Sequence, residues 1–246
     1  MSALPAFLKY KTANDLIRVG RNNDGGYLVS KLDIEASDLL IALGISNDWS
    51  FEKGFVAIKK APVLAYDASI SGSVFLHQLI LFFYCGRLRS FFKALMNYLD
   101  YKKFFKNDRH HEEKFVGINY GYVQMSEVFS KVESCNIFFK IDIEGGEYQI
   151  LDDLITNYHR INGLVIEFHE CNLHLQLIAD FIKKFSMPIV HIHANNCAPL
   201  LHSSGLPLVL EITFSKNAEQ NNECIHPHPL DMPNNPEKDE ILYRFS

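Results

Sequence analysis

From residue 38 onward, short unbroken apolar runs alternate with longer stretches in which apolar positions recur every three or four residues. A continuous apolar run of four to eight residues predicts a strand buried on both faces; the longer period predicts an amphipathic helix. The runs predict strands over 38–44, 62–67, 114–119, 136–142, 163–168, 188–193 and 206–214, and the helical pattern is clearest over 148–158 and 174–185. Strand and helix in alternation imply a mostly parallel seven-stranded sheet with helices on both faces, an α/β fold. Ligands bind such sheets beyond the carboxyl ends of the strands, near the point where strand order reverses.

Two regions fall outside this rhythm. Residues 1–37 carry the polar turn Arg21-Asn-Asn-Asp-Gly-Gly26 before Tyr27, where Asp-Gly-Gly predicts a hairpin. Residues 71–113, rich in Phe, Leu, Tyr and Lys, predict a helical insertion between the second and third strands, ending in the charged, solvated run 106–113. Such an insertion is a candidate lid or acceptor-binding region. With no repeat or low-complexity segment, residues 1–246 are expected to form a single domain. The Pro-, Asn- and His-rich tail 226–236 predicts an irregular surface segment, with His226 and His228 as ordinary surface residues.

Composition narrows the function classes. Hydrophobic residues make up 48% and charged residues 22%, a globular balance. The net charge of -5 offers no general attraction to phosphate backbones, so a nucleic-acid partner is not expected. Five scattered cysteines without a CxxC pair predict free thiols in a reducing compartment. With neither a secretion signal nor an apolar stretch of bilayer length, a cytoplasmic protein without a membrane span is expected.

The chemistry-bearing residues cluster at the ends of the predicted strands. Gly44 closes the first strand and Asp67 the second, where a carboxylate can accept hydrogen bonds from both hydroxyls of a ribose. The fourth strand runs into Phe139-Lys-Ile-Asp-Ile-Glu-Gly-Gly-Glu-Tyr148, in which Asp142 and Glu144 at i and i+2 would share a face. They would also suit capping of the helix after Gly146. His169 follows the fifth strand and His193 ends the sixth; either would serve as a base, and either would equally serve as a satisfied structural histidine. Asp142, Glu144, His169 and His193 together form a mixed carboxylate and imidazole set able to bind a divalent metal, if three strand ends converge.

The segment 139–148 resembles the K-[IV]-D-[IV]-E-G-x-E signature of FkbM-type methyltransferases, and Val123–Phe129 resembles the short helix preceding it. Four further segments are similar to the branch of that family with an added N-terminal element: 18–27, 43–52, 191–196 and 230–236. The resemblance runs from Arg18 to the C-terminus and omits the insertion. It implies a Rossmann-like class I methyltransferase fold with S-adenosylmethionine as cofactor. It also implies a donor-binding loop of Gly44, Ile45, Ser46, Asn47 and Asp48, with Asp67, Ala68 and Asp142 beside it and Arg21 and Gly26 of the polar turn packed over it. Ala42 stands where the usual acidic residue would be, and the GxGxG pattern is absent, so Asp48 or Glu52 is expected to compensate. The family context implies a small-molecule or carbohydrate acceptor, O-methylated with Asp142, Glu144, His169 and His193 as candidate catalytic residues. Two other readings stay open. One is a metal-dependent hydrolase built on the same four residues; the other is a methyltransferase fold that keeps a partner surface without chemistry.

Overall fold

The computed structural model describes residues 2–221 and 223–246. In chain order the strands are β1 (Ser2–Leu4), β2 (Leu16–Val19), β3 (Tyr27–Ser30), β4 (Leu39–Leu43), β5 (Val63–Tyr66), β6 (Arg109–Glu112), β7 (Ile137–Ile141), β8 (Ile161–Phe168), β9 (Ile189–Ala194), β10 (Leu210–Ser215) and β11 (Tyr243–Phe245). The α-helices are α1 (Lys31–Ala36), α2 (Ser50–Ile58), α3 (Gly72–Tyr84), α4 (Leu88–Phe104), α5 (Met125–Ser130), α6 (Leu151–Thr156) and α7 (Cys171–Lys184).

Seven strands form the central sheet in the order β6-β5-β4-β7-β8-β10-β9. β10 runs antiparallel to both β8 and β9, whereas the pairings from β6 through β8 are all parallel. The order reverses at β4, the first strand of the sheet, which puts the switch point between β4 and β7. This is the expected Rossmann-like methyltransferase architecture.

Alternation along the strands divides the core in two. Leu39, Ile41 and Leu43 of β4 join Phe139, Ile141, Ile166 and Ile212 in the larger cluster, roofed by α5, α6 and α7. Leu40 and Ala42 point the other way, with Phe138, Val165, Phe51 and Phe55, under α1, α2 and the β2–β3 hairpin. The insertion of α3 and α4 is fastened to this second half by Phe75, Tyr101 and Phe104. Its outer face stays apolar and exposed, with Leu76, Phe83, Phe92 and Met96 each more than half exposed. Among the described residues no helix is long and apolar enough to cross a membrane.

Several expectations need correction. The third sheet strand is Arg109–Glu112, inside the run expected to be a solvated loop, and residues 114–119 are not a strand. The reason is position. β6 is an edge strand paired only with β5, so it has no need of apolar side chains on both faces, and charge protects its free edge. The apolar 114–119 segment instead makes one isolated bridge, Val116 to Val123. The helix expected over 148–158 is shorter, with the α6 turns flanked by 3-10 turns at Glu147–Gln149 and Tyr158–Arg160. The seventh strand starts at Leu210, not 206, because 206–209 arrives through a bridge of Pro207 to Leu200.

The tail is irregular as expected, but its histidines are not ordinary surface groups. The His226 ring stacks on Tyr243 with centroids 3.5 Å apart, and its Nε2 accepts from the Tyr243 amide. His228 packs edge-on against His191.

Candidate active site

A cavity of about 650 Å³ opens at the carboxyl end of the sheet, beside the switch point. Gly44, Ser46, Asp67, Asp142, Glu144 and the Gly145-Gly146 turn contribute to its lining. The loops after β4, β5 and β7 therefore meet around one space of a size suited to a nucleoside-sized ligand.

The floor depends on two backbones in close approach. Gly44 has φ +78°, and a Cβ there would fall 1.6 Å from the Asp142 carbonyl oxygen. Only glycine satisfies both the left-handed backbone and the clearance. Lys140, buried just below, donates from Nζ to the Gly44 carbonyl and lies 3.7 Å from Asp142 Oδ2. Burial opposes its charge, but Asp142 and Glu52 outweigh that and raise its pKa. The sequence motif contains Lys140, yet only this geometry reveals it as the cation tying the two loops together.

Asp67 is buried, and its carboxylate is engaged by its own chain. Oδ2 accepts from the amides of Ile45 at 2.9 Å and Ser46 at 2.7 Å, while Oδ1 accepts from Ser69 at 2.7 Å. Burial would push its pKa up, but the Ser69, Ser46 and Ile45 hydrogen bonds prevail and hold it below the usual value. A carboxylate offers roughly four acceptor positions. Three amides and the Ser69 side chain engage it, so Asp67 is committed to its own loop and is not free for a full bidentate clasp on a diol.

The turn after β7 is built differently from the expected strand extension. β7 ends at Ile141, and Glu144 has φ +53°, so Asp142 and Glu144 do not share a strand face. Nor do they cap the following helix. Glu147, fully buried, does the local work: its Oε1 accepts from the amides of Ile143 at 3.1 Å and Gly145 at 3.3 Å and lies 3.0 Å from His169 Nδ1.

His169 is thereby aimed toward Asp142 and Glu144. Its Nε2 lies 3.4 Å from Glu144 Oε2, 3.9 Å from Asp142 Oδ1 and 3.9 Å from Glu167 Oε1. Burial would lower its pKa, but the hydrogen bond and charge of Glu147, then Glu167 and Asp142, raise it to about 9. The ring is an imidazolium at neutral pH. Glu167 sits on the neighbouring strand with Tyr27 Oη donating to it at 3.0 Å and to Asp142 Oδ2 at 3.3 Å. Burial and the carboxylates of Asp142 and Glu211 push its pKa well above the ordinary range.

The other expected residues go elsewhere. His193 does not join His169; it lies with His191 and Asp231 beneath the tail, on the face where β9 pairs with β10. Of the set Asp142, Glu144, His169 and His193, the first three converge, with ligand atoms within 4.8 Å of one another, and His193 does not join them. Ile45 is buried behind the loop and contributes its amide to Asp67. Asp48 accepts from the Ser50 amide at 3.0 Å at the start of α2 and pairs with Arg21 Nε at 2.9 Å. Arg21 and Asn47 line a second cleft of about 890 Å³, against Lys93, Asn97 and Asp100 of the insertion. Gly26 serves the hairpin turn, where a Cβ would strike the Arg21 carbonyl at 1.8 Å. Ala68 lies between Asp67 and Ser69 and is not among the lining residues. Glu52, adjacent in sequence to the loop, is buried near Lys140 and pushed up to about 7 by its burial.

Sequence reasoning also missed a wall. Phe115, Val116, Asn119 and Tyr122 line the cavity, the two rings 5.3 Å apart, and Gln149 braces them by accepting from the Ile118 amide at 3.0 Å. The apolar pattern that suggested a strand over 114–119 was the available signal; it marked a pocket wall instead.

No family model matches the chain, and no curated protein matches it. Solved structures with a similar fold include precorrin-6y C5,15-methyltransferase from Geobacter metallireducens, at 14% identity over 76% of this chain and 84% of that one, TM-score 0.43. An rRNA methylase from Streptococcus thermophilus is 10% identical over 76% of this chain and 92% of its own, TM-score 0.40. The Methanococcus jannaschii fibrillarin pre-rRNA processing protein is 11% identical over 89% of each chain, TM-score 0.38.

Proposed function

We propose that this protein is an S-adenosylmethionine-dependent methyltransferase of the FkbM type, acting on a hydroxyl group of a small molecule or carbohydrate. The observation that carries it is the convergence of Gly44, Asp67 and Asp142 on one cavity at the switch point. The residues present fit the donor. Gly44 and Ser46 present backbone at close range, the Asp67 carboxylate lines the same space within reach of a ribose hydroxyl, and the Phe115 and Tyr122 rings offer a flank for a purine. Asp142, with Glu144 and Glu170 nearby, supplies carboxylate to an amino group.

When bound, the donor supplies an already activated methyl group, so the chain's own task is positioning and proton removal. Methylation of a hydroxyl leaves a proton to be accepted, and a base within reach must hold it. His169 is the assigned base: it stands behind the lining, with Nε2 3.4 Å from Glu144 and 3.9 Å from Asp142 of the cavity and Nδ1 fixed by Glu147. Its pKa near 9 means that the neutral, proton-accepting form grows as pH rises toward that value. The hydroxyl and carbohydrate acceptor class rests on the sequence resemblance, and His193, grouped with His191 and Asp231 instead of with Asp142, Glu144 and His169, is not assigned to the step.

Calorimetry of the wild-type protein with S-adenosylhomocysteine tests the proposal. Binding in the micromolar range, weakened at least about tenfold by Asp67→Ala, is expected. An absence of heat at protein concentrations well above that range would remove the donor from the picture.

A further inference from the structure

The cluster that took His193 away from the cavity has a geometry of its own. His191 and His193 alternate onto one face of β9, and Asp231 of the tail reaches down to both: Oδ1 lies 3.0 Å from His191 Nε2 and 3.4 Å from His193 Nδ1. Glu240 brings Oε1 to 3.3 Å from the same His193 Nδ1. Both rings are almost wholly buried, at 2% and 5% exposed.

Hydrogen bonding fixes which nitrogen of His193 bears a proton. Asn234 directs its Nδ2 at two carboxylates, Glu211 Oε1 at 2.7 Å and Asp24 Oδ1 at 3.2 Å, so its Oδ1 must accept. That oxygen lies 2.9 Å from His193 Nε2, which therefore donates. In the neutral ring Nδ1 is then a bare lone pair, facing two carboxylate oxygens. Either a ring proton or a metal ion occupies the space between them. A proton would draw one oxygen in to about 2.7–2.9 Å, the length of a charge-assisted bond. The 3.3 and 3.4 Å separations match the edges of a tetrahedron of ligands about 2.0–2.1 Å from a central ion, which come to about 3.3–3.4 Å, whereas the 3.0 Å from Asp231 Oδ1 to His191 Nε2 is a hydrogen-bond length that a bound ion would have to open.

The surroundings supply part of what a metal needs outside its ligands, although His191 Nδ1 is buried with no hydrogen-bond partner among the described residues. The donor bond of His193 to Asn234 orients the ring, and the His228 amide donates to Asp231 Oδ2 at 3.1 Å, leaving Oδ1 turned inward. Glu240 Oε2 is buried with no hydrogen-bond partner among the described residues. Two imidazoles and two carboxylates balance a divalent charge.

We propose that His191 Nε2, His193 Nδ1 and Asp231 Oδ1, with Glu240 beside them, form a structural divalent-metal site of the zinc class that fastens the irregular tail to β9. Its donors are borderline nitrogen and hard oxygen, suited to zinc rather than calcium or magnesium. Its burial sets it apart from a site that admits substrate.

The test is zinc uptake by the whole, chelator-treated protein, followed by elemental analysis and by the visible absorption of cobalt as a substitute. One tightly held equivalent of zinc, a tetrahedral cobalt spectrum and a melting temperature raised by the metal are expected. Asp231→Asn and His193→Gln should lose the equivalent, while Asp142→Asn should keep it. Because uptake and spectrum are read on the wild-type chain, a variant that fails to fold does not decide the matter. Absence of uptake by the wild type, or an octahedral cobalt spectrum, overturns the site, as does loss of the metal in Asp142→Asn with retention in His193→Gln.

Discussion

Gly44 and Asp142 meet backbone to backbone: a single methyl group added to the glycine would penetrate the Asp142 carbonyl. The closeness joins the loops after β4 and β7, and it makes the smallest possible substitution a severe one. Gly44→Ala combines a positive-φ penalty of about 1–3 kcal/mol with a steric overlap that only backbone movement relieves. A loss of at least about 3 kcal/mol in urea unfolding, together with loss of S-adenosylhomocysteine binding, is expected.

Asp67 should prove to be part of the loop's architecture as much as a ligand contact. Asp67→Asn retains the shape but withdraws charge from the amides of Ile45, Ser46 and Ser69. About 1.5–3 kcal/mol of stability should go, since hydrogen bonds to a charged acceptor are of that size. A variant as stable as wild type would show that these bonds contribute little.

His169 gives the stability a pH dependence of definite sign. Its folded pKa of about 9 exceeds its ordinary 6.5, so its contribution is fully present below about pH 6.5. That contribution is lost as pH rises through 9, the range in which activity should increase as the base form appears. Comparing urea midpoints of wild type and His169→Gln from pH 6 to 10 isolates it: the difference should shrink toward the alkaline end. Glu147→Gln should lower the His169 pKa by about one unit or more, read by NMR titration of the ring. An unmoved titration would mean that Glu147 fixes the turn without charging the histidine.

Two changes near the second half of the core should differ sharply. Phe138 is fully buried between Phe51 and Phe55, and Phe138→Ala should cost about 3–5 kcal/mol. Asp100 accepts from Trp49 Nε1 at 3.0 Å and pairs with Lys53, tying the insertion to α2, but it is about two-fifths exposed. Asp100→Asn should cost no more than about 1 kcal/mol by thermal melting. A large effect would mean that α3 and α4 are held mainly at this point.

The buried strands could be read from the sequence because they lie between two packed faces, which demands apolar residues in unbroken runs. β4 obeyed that demand throughout, β7 broke it only at Lys140, and β8 only at Asn162 and Glu167. The edge strand did not, since Arg109-His-His-Glu112 has a neighbour on one side only. Glycine and carboxylate positions at the strand ends marked the cavity floor correctly, because strand ends are fixed once strands are. What could not be read was the reach of side chains across the sheet. Whether His193 faces Asp142 or Asp231 depends on β10 entering between β8 and β9, a pairing set by contacts distant in sequence. The same holds for Glu147: its role in gathering the turn amides and His169 depends on burial, which the local pattern does not reveal.

The amides gathered by Asp67 have a consequence for recognition. A loop already fastened in place gives up its disorder when the chain folds, not when a nucleoside arrives, so encounter needs no rearrangement of Ile45 or Ser46. Differences in affinity among nucleoside ligands should then lie in how long each stays rather than how fast each enters.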